Sequence, residues 1–320
     1  MGTDSMQLRL RSITYEAASI ISFELRSPND SELPPFTAGA HIDIQLPGGL
    51  IRSYSLVNPQ EERYRYVIAV NRDAASRGGS RFMHENLKVG AMLAVSAPRN
   101  NFRLVEDAPT SVFIAGGVGI TPILCMIERL TVRKRPWTLY YSARSRQTAA
   151  YLDRLHVLRS TNAGNVHLNF DQGSVSNMLN LASVVDNVKS DAHLYCCGPI
   201  PMLEAFERAC DKLPSPQVHV EYFAAKEAPF AQGGFVVELA RSGRVIPIAR
   251  GMTILDALLE AGVDAPYSCM EGVCATCEIK VLAGIPDHKD LVLTKEEQAS
   301  NQVMMICCSG SKTEKLVLDL

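Results

Sequence analysis

Three cysteines at Cys269, Cys274 and Cys277, with a fourth at Cys307, constrain this chain more than any other feature. The triplet reads C-x4-C-x2-C, and 29 residues separate its last member from Cys307. A two-iron cluster bridged by sulfide needs four thiolates from two sides. A tight loop supplies three and a distant strand end the fourth, which is the plant-type spacing for [2Fe–2S]. Gly272 and the small residues Ala275 and Thr276 let backbone N–H groups approach the cluster sulfurs and tune its potential. Structural zinc is the competing reading, but it favours two close pairs, each with two to four intervening residues. Here one half is a triplet and the other is the adjacent pair Cys307-Cys308. Adjacent side chains on a strand point to opposite faces, so one of that pair is expected to reach the cluster. Cys307 has the matching spacing.

Seven of the nine cysteines lie in the triplet or in the adjacent pairs Cys196-Cys197 and Cys307-Cys308. The N-terminus lacks an apolar stretch and a cleavage site of the secretory kind. In such a chain, clustered cysteines read as ligands or catalytic groups before bridges. The 320 residues are 47% hydrophobic and 21% charged, ordinary for a globular protein of two or three domains. A net charge of −2 gives no basic field for nucleic acid. No apolar run reaches the ~18 residues a membrane span needs. The expectation is a cytoplasmic protein with neither nucleic acid nor membrane as partner.

The first hundred residues carry short strand-like runs: Gln7–Arg11, His41–Leu46, Ser53–Val57 and Arg63–Val70, with a turn at Pro47-Gly48-Gly49. This spacing suggests a closed antiparallel barrel. From residue 111 the pattern alternates. Strand-like runs at 111–115, 138–142, 166–170 and 193–197 have helical stretches between them, including Pro122–Leu130, as in a parallel α/β sheet. Residues 227–234 read as a linker. The chain then restarts with a hairpin over 235–249 and a helix over 253–261, where Thr253 and Asp256 have capping-box spacing and Gly262 stands at C′. Strands near 303–306 and 315–318 close it.

Two stretches read as cofactor contacts. Arg52-Ser53-Tyr54-Ser55 puts a cation, hydroxyls and an aromatic face on one strand, the groups a flavin needs, although R-x-Y-S also arises by chance. Gly78-Gly79-Ser80 precedes a helix expected over 81–86, whose N–H groups suit phosphate; alone, this stretch is better read as a plain loop. Gly116-Gly117-Val118-Gly119-Ile120-Thr121-Pro122 follows a buried strand and opens a helix, a place for pyrophosphate, though it is not G-x-G-x-x-G. Cys196-Cys197-Gly198-Pro199 ends another strand at the same sheet edge. Small-residue packing is the plain alternative there. Cys197 sits where a thiol could face nicotinamide.

Taken together these segments resemble the phthalate dioxygenase reductase family along the whole chain. The residues that carry the resemblance are Arg52–Ser55, Gly78–Ser80, Gly116–Pro122, Tyr195–Pro199, Glu221-Tyr222-Phe223, the four cysteines and the closing Leu316–Leu320. The resemblance implies three domains: an FMN-binding β-barrel over 1–106, an NAD-binding α/β domain over 107–226 and, after the linker, an α+β β-grasp ferredoxin domain over 235–320. It implies that Arg52, Ser53, Tyr54 and Ser55 hold the flavin, that Ala69 and Val70 line its edge, and that Gly78, Gly79 and Ser80 take its phosphate. Thr121 would sit near flavin N5, and Phe223 would cover the ring and yield to nicotinamide. For the nicotinamide cofactor it implies Gly116, Gly117, Gly119, Cys197, Gly198 and Pro199, with Arg144 and Asp171 at the adenosine half.

Two positions depart from the family. Asn71 stands where Lys is frequent, so its cation is lost or replaced by Arg72. Cys308 stands where an apolar residue is frequent. The implied activity carries electrons from NADH through FMN and [2Fe–2S] to a Rieske-type oxygenase, by a monomer. The rivals are a carrier that has lost flavin, an FAD-containing relative, and a stand-alone reductase of a small acceptor such as a quinone. Glu271, Asp287, Asp290, Glu296 and Glu297 are candidate docking acids, with a plain solvated face favoured for the last two.

Overall fold

In the computed structural model, residues 5–74, 76, 78–160, 164–224 and 233–320 are described. They divide into two compact units, Ser5–Glu221 and Tyr222–Leu320. The linker expected over 227–234 lies outside the described residues except for Gly233 and Gly234.

The first unit opens with six antiparallel strands: β1 (Met6–Ala17), β2 (Ile20–Arg26), β3 (His41–Leu46), β4 (Leu50–Ser55), β5 (Tyr66–Asn71) and β6 (Met92–Val95). Their order is β4-β3-β6-β1-β2-β5. A bridge between Leu56 and Ile68, with the Val57 N–H donating to the Val67 carbonyl at 2.8 Å, joins the two edges, so the sheet closes as the strand spacing predicts. The polar–apolar alternation of β3 predicts one wet face, yet His41 and Asp43 are both buried. Arg99 and Ser53 explain this: each donates to the Asp43 carboxylate, at 2.6 and 2.7 Å, satisfying a charge that burial would otherwise make costly. Helix α1 (Gly79–Glu85) crosses beside β5 and is pinned by His84 Nε2 at 2.9 Å from the Val70 oxygen.

A five-stranded parallel sheet follows: β7 (Ser111–Gly116), β8 (Trp137–Ala143), β9 (Gly164–Phe170), β10 (His193–Cys197) and β11 (Val218–Glu221). The order is β11-β10-β7-β8-β9. Every residue of β7 is buried, as its unalternating sequence predicts for a strand covered on both faces. Helices α2 (Ile120–Val132), α3 (Leu152–Ser160), α4 (Leu181–Asp186) and α5 (Ile200–Ala209) connect the strands. The chain leaves β7 in one direction and returns through β10 on the other side, so the strand order reverses between them. Ligands of such sheets collect at that point, beyond the carboxyl ends. Barrel and parallel sheet share one apolar core. Arg129 of α2 ties them further, pairing with Glu61 at 2.7 Å and Glu106 at 2.8 Å.

The second unit has its own core. Its strands are β12 (Phe235–Leu239), β13 (Val245–Ile248), β14 (Glu278–Ala283), β15 (Pro286–Asp287), β16 (Val303–Met305), β17 (Gly310–Ser311) and β18 (Lys315–Leu318). The main sheet runs β13-β12-β18-β14-β16, with the first and last strands of the unit, β12 and β18, parallel at its centre. Helix α6 (Ile254–Glu260) begins with the expected capping box: Thr253 Oγ1 accepts from the Asp256 N–H at 3.1 Å and the Asp256 carboxylate accepts from the Thr253 N–H at 3.3 Å. Gly262 has φ +70, so it ends the helix as its position predicts. A short α7 (Lys295–Ser300) carries a second capping box, Thr294 with Glu297. Among the described residues no helix is long and apolar enough to cross a membrane.

Candidate functional site: a thiol loop and a two-sided cleft

In the second unit, the loop between α6 and β14 presents Cys269, Cys274 and Cys277, and the turn after β16 presents Cys307. Cys269 has Cys274 and Cys307 as hydrogen-bonding neighbours, and Cys307 also has Cys277. These contacts hold the Cys269 and Cys277 thiols below their ordinary range, so deprotonation falls first on them. Among the described residues no three His, Cys, Asp or Glu side chains converge as a ready site for a single metal ion. The four thiols instead run as a chain of neighbours, from Cys274 through Cys269 and Cys307 to Cys277. A two-iron centre needs no single focus, because the thiolates are shared between two metals.

The loop backbone fits such a group. Met270, Gly272 and Ala275 have φ values of +58, +70 and +60, which turn the chain around its own interior. The Glu271 N–H donates to Cys269 Sγ at 3.3 Å, and Thr276 Oγ1 lies 3.2 Å from Cys274 Sγ. The Ser268 hydroxyl is buried with no partner among the described residues, a donor ready for an acceptor they do not supply. Cys307 and Cys308 do not alternate on a strand. They stand in a turn past the end of β16 and are both 2% exposed, so the two-face argument does not separate them. Their neighbours do, because Cys307 alone joins Cys269 and Cys277.

The candidate docking acids divide, and the solvated face favoured for Glu296 and Glu297 agrees with their exposure. Glu271 and Asp290 are buried. Asp290 accepts from the Leu293 N–H at 2.9 Å, Glu297 caps α7 by accepting from the Thr294 N–H at 2.8 Å, and Asp287 pairs with Lys289 at 3.1 Å. Glu296 is exposed. At the loop's rim the exposed side chain is Met270.

In the first unit, Arg52 and Tyr54 share one face of β4 while Ser53 and Ser55 share the other. Arg52 lies against the start of α1: a Cβ on Gly79 would stand 2.8 Å from its Cγ and Nε. The R-x-Y-S strand and the Gly78–Ser80 turn, with 22 residues between them in sequence, are therefore adjacent. Ser80 Oγ donates to Ser76 Oγ at 2.9 Å. Ser53 does not join them, because its hydroxyl is engaged by Asp43. Burial pushes the Tyr54 phenol up to about 12, so it stays a protonated donor. Ala69 and Val70 are buried on β5. Asn71 accepts from the Ser19 hydroxyl at 2.7 Å, and Arg72 pairs with Glu85 of α1 at 2.7 Å.

At the strand-order reversal, the loops after β7 and β10 touch. A Cβ on Gly119 would stand 2.1 Å from the Cys197 oxygen, and one on Gly116 would stand 2.6 Å from Pro199 Cδ. Those two glycines, with Gly198, are required by loop-on-loop packing. Gly117, with φ +54, faces open space. Thr121 is buried and its hydroxyl donates to the Val118 oxygen at 3.0 Å. Arg144 and Asp171 directly follow the paired ends of β8 and β9, and Asp171 accepts from the Gly173 N–H at 2.7 Å. Phe223 falls in the second unit and is exposed.

A group that sequence reasoning did not assign stands in this cleft. β10 and β11 pair Cys197 with Glu221, so the two side chains share a face. Cys197 Sγ donates to Glu221 Oε2 at 3.9 Å, and Ser55 of the barrel is also a hydrogen-bonding neighbour of Glu221. Burial pushes the Glu221 carboxyl up to about 8 against the pull of those two hydrogen bonds. Burial, and then Glu221, raise the Cys197 thiol well above its ordinary range. The cleft thus holds a neutral Ser–Glu–Cys set at neutral pH. The signal was available in the sequence as an acid closing a strand, Val218-His219-Val220-Glu221, but its partners depend on the register.

Comparison with known proteins fits this geometry. Residues 237–311 match the 2Fe-2S iron-sulfur cluster binding domain family, and residues 113–208 the oxidoreductase NAD-binding domain family. The solved structure of phthalate dioxygenase reductase, described as modular for electron transfer from pyridine nucleotides to [2Fe-2S], superposes with a TM-score of 0.75 at 37% identity, over 99% of this chain and 98% of that one. The chain belongs to the phthalate dioxygenase reductase family. It is an oxidoreductase with the family's flavin-type barrel, nucleotide sheet and C-terminal ferredoxin domain. Within this reach of sequence, the phenoxybenzoate dioxygenase subunit beta of Ectopseudomonas oleovorans is 56% identical over 98% of this chain and 97% of its own. The tetrachlorobenzoquinone reductase of Sphingobium chlorophenolicum is 49% identical over 99% and 98%.

Proposed function

We propose that this chain is the NADH-dependent reductase component of a multicomponent Rieske oxygenase system. When bound, FMN takes the two electrons of a hydride from NADH and the [2Fe–2S] centre hands them on singly. The observation that carries this reading is the presence, in one chain, of four gathered thiols, of Arg52 set against the Gly78–Ser80 turn, and of Gly117 open to space beside the loop after β10. The reading takes 1–106 as the FMN barrel, 107–226 as the nucleotide domain and 235–320 as the ferredoxin domain. Cys269, Cys274, Cys277 and Cys307 hold the cluster.

Arg52, with Gly79 and Ser80, holds the flavin phosphate, and Tyr54 orients the ring from the same face of β4. Gly117 gives the pyrophosphate its approach, while Gly116, Gly119 and Gly198 shape the loops around it. Arg144 and Asp171 receive the adenosine half. Thr121 and Phe223 border the ring. Ser55, Glu221 and Cys197 keep a neutral, hydrogen-bonded wall on the nicotinamide side and hold its protons in place. The same reading has the chain working as a cytoplasmic monomer beside an oxygenase.

Purified protein is expected to release FMN on acid treatment and to contain two irons and two labile sulfides per chain. It should reduce an added Rieske oxygenase component with NADH. FAD in place of FMN, or zinc in place of iron, overturns the reading. A second reading, a quinone reductase, has the 49% identical relative in its favour. Steady-state NADH oxidation with a benzoquinone and with an oxygenase as acceptors separates the two.

The buried and paired acids make a further prediction. Because the thiol loop's own acid, Glu271, is buried and Glu297 is a cap, oxygenase-coupled turnover should change less than about threefold between low and physiological salt, the range set by exposed charge pairs. A steep fall, with NADH-to-ferricyanide activity flat, would restore an electrostatic docking surface.

A further inference from the structure

Tyr141 lies on β8, buried between the loops that follow β7 and β8. Its phenol oxygen accepts from the Ala150 N–H at 3.0 Å and donates to the Gly117 oxygen at 3.2 Å. The hydroxyl is therefore fully directed. An N–H occupies a lone pair, so its own proton turns to the carbonyl. Burial raises the phenol above its ordinary range, so the group stays a donor.

The two partners belong to different loops. Gly117 has φ +54, and a Cβ on it would meet nothing. Glycine has no side chain to restrict its peptide planes, so a glycine loop is permissive in conformation. Packing against Cys197 and Pro199 fixes Gly119 and Gly116. The Tyr141 hydroxyl, with the Ile120 N–H, fixes the Gly117 carbonyl. A peptide is planar and trans, so a carbonyl held on Tyr141 turns the Val118 N–H the opposite way, away from β8. Ala150 closes the segment that begins at Arg144. Within that segment the Ser145 N–H donates to Thr148 Oγ1 at 3.0 Å, and the Ala18 N–H of the barrel donates to the Gln147 oxygen at 2.9 Å. Both loops are thus held in place, and the Tyr141 hydroxyl joins one to the other.

We infer that Tyr141 is a positioning residue for the dinucleotide. Its hydroxyl locks the Gly117 peptide so that the Val118 N–H is presented to the pyrophosphate, and it holds that loop in register with the segment carrying Arg144. It acts through Gly117 rather than on the cofactor. Such prior ordering lowers the cost of binding. The inference deepens the proposed function and rests on its placing of the pyrophosphate at Gly117.

The test is Tyr141→Phe in the full-length, cofactor-loaded protein, with Tyr66→Phe as control. Phenylalanine keeps the ring and removes the hydroxyl. Tyr66 is a buried tyrosine of β5 whose hydroxyl donates to the Pro34 oxygen at 2.5 Å, a carbonyl of neither loop. It reports what loss of a buried phenol hydroxyl does by itself. ADP-ribose has the pyrophosphate and the adenosine but no nicotinamide, and its binding is measured by calorimetry. Flavin reduction by NADH is followed by stopped flow. In Tyr141→Phe the dissociation constant of ADP-ribose should rise about fivefold, the worth of one ordinary hydrogen bond. The NADH concentration for half-maximal flavin reduction should rise by the same factor. The limiting rate should stay within about twofold of native, since a lost ground-state contact raises the half-saturating concentration alone. Tyr66→Phe should leave all three values native. Unchanged constants in Tyr141→Phe would reduce the hydroxyl to packing. Equal rises in both variants would make the effect one of general stability. A lower limiting rate with native ADP-ribose affinity would move the effect to the nicotinamide end. Each of these results overturns the inference. A native protein that neither binds ADP-ribose nor reduces its flavin with NADH sinks the proposed function itself, before any variant is compared.

Discussion

Cys307→Ser is expected to abolish the visible absorbance of the iron–sulfur centre while leaving NADH-driven flavin reduction at its native rate. The reasoning is geometric. Cys307 links the two ends of the thiol chain, being neighbour to both Cys269 and Cys277, so its loss removes the connection between loop and turn. A serine oxygen is a harder and less willing ligand than thiolate for iron of this kind. Apart from Phe223, the proposed flavin and nicotinamide residues lie in a different compact unit with its own core, so they should not register the change. Oxygenase-coupled turnover should fall by at least about a hundredfold, the scale on which loss of an obligate centre is read. Removing residues 235–320 should have the same signature: an NADH–ferricyanide activity that survives and an oxygenase activity that does not. If either variant still drives the oxygenase, electrons leave from the flavin and the proposed route is wrong at its central step.

What could be read from the sequence divides along physical lines. Periodicity located β3, β10 and β18 to the residue, because each is a short apolar or alternating run bounded by turn residues. It missed β2 (Ile20–Arg26), which turns straight back on β1 as a tight hairpin, and β6 (Met92–Val95), whose place depends on non-local pairing with β1. The capping box of α6 was legible because Thr253 and Asp256 are local partners. The similar box at Thr294 and Glu297 went unread, although the solvated face favoured for Glu297 agrees with its exposure. Ser53 shows the same limit. Its residue type suits a flavin contact, but the cross-strand register sets it opposite Asp43, ten residues back. Spacing points to Cys307, while alternation on a strand does not explain why only one of the adjacent pair should reach a cluster, because the strand ends at Met305. Glycine meaning was split in the same way. Gly116 and Gly119 answer to neighbouring protein atoms and Gly117 to open space, a distinction that no local motif contains.

Glu221→Gln is expected to stabilise the protein at pH 8 and to leave it nearly unchanged at pH 4. In the unfolded chain this glutamate ionises near 4.3, whereas burial holds the folded carboxyl protonated until about pH 8. Between those values the folded state binds a proton that the unfolded state has released. Stability therefore falls as pH rises, at up to about 1.4 kcal/mol per unit for a fully buried group. The contribution is fully present below the unfolded value and is lost by the time pH passes the folded one. Over the whole window the loss is roughly 2–4 kcal/mol, since Glu221 keeps some solvent contact. For a unit of this size each kcal/mol moves Tm by about 2–4 °C. Scanning calorimetry from pH 4 to 8.5 should show native and variant curves that separate by several degrees at the alkaline end, with the variant higher. Glutamine keeps an acceptor for Cys197 and a group for Ser55, so packing is preserved and the difference reports the proton alone. Parallel curves would mean that Glu221 titrates like a surface acid. The kinetic counterpart has the same origin. Above pH 8 a carboxylate appears between Ser55 and Cys197, beside the proposed nicotinamide edge, so the rate of NADH-driven flavin reduction should acquire a pH dependence there in the native protein. In the glutamine variant, where no charge can form, it should stay flat through the same range.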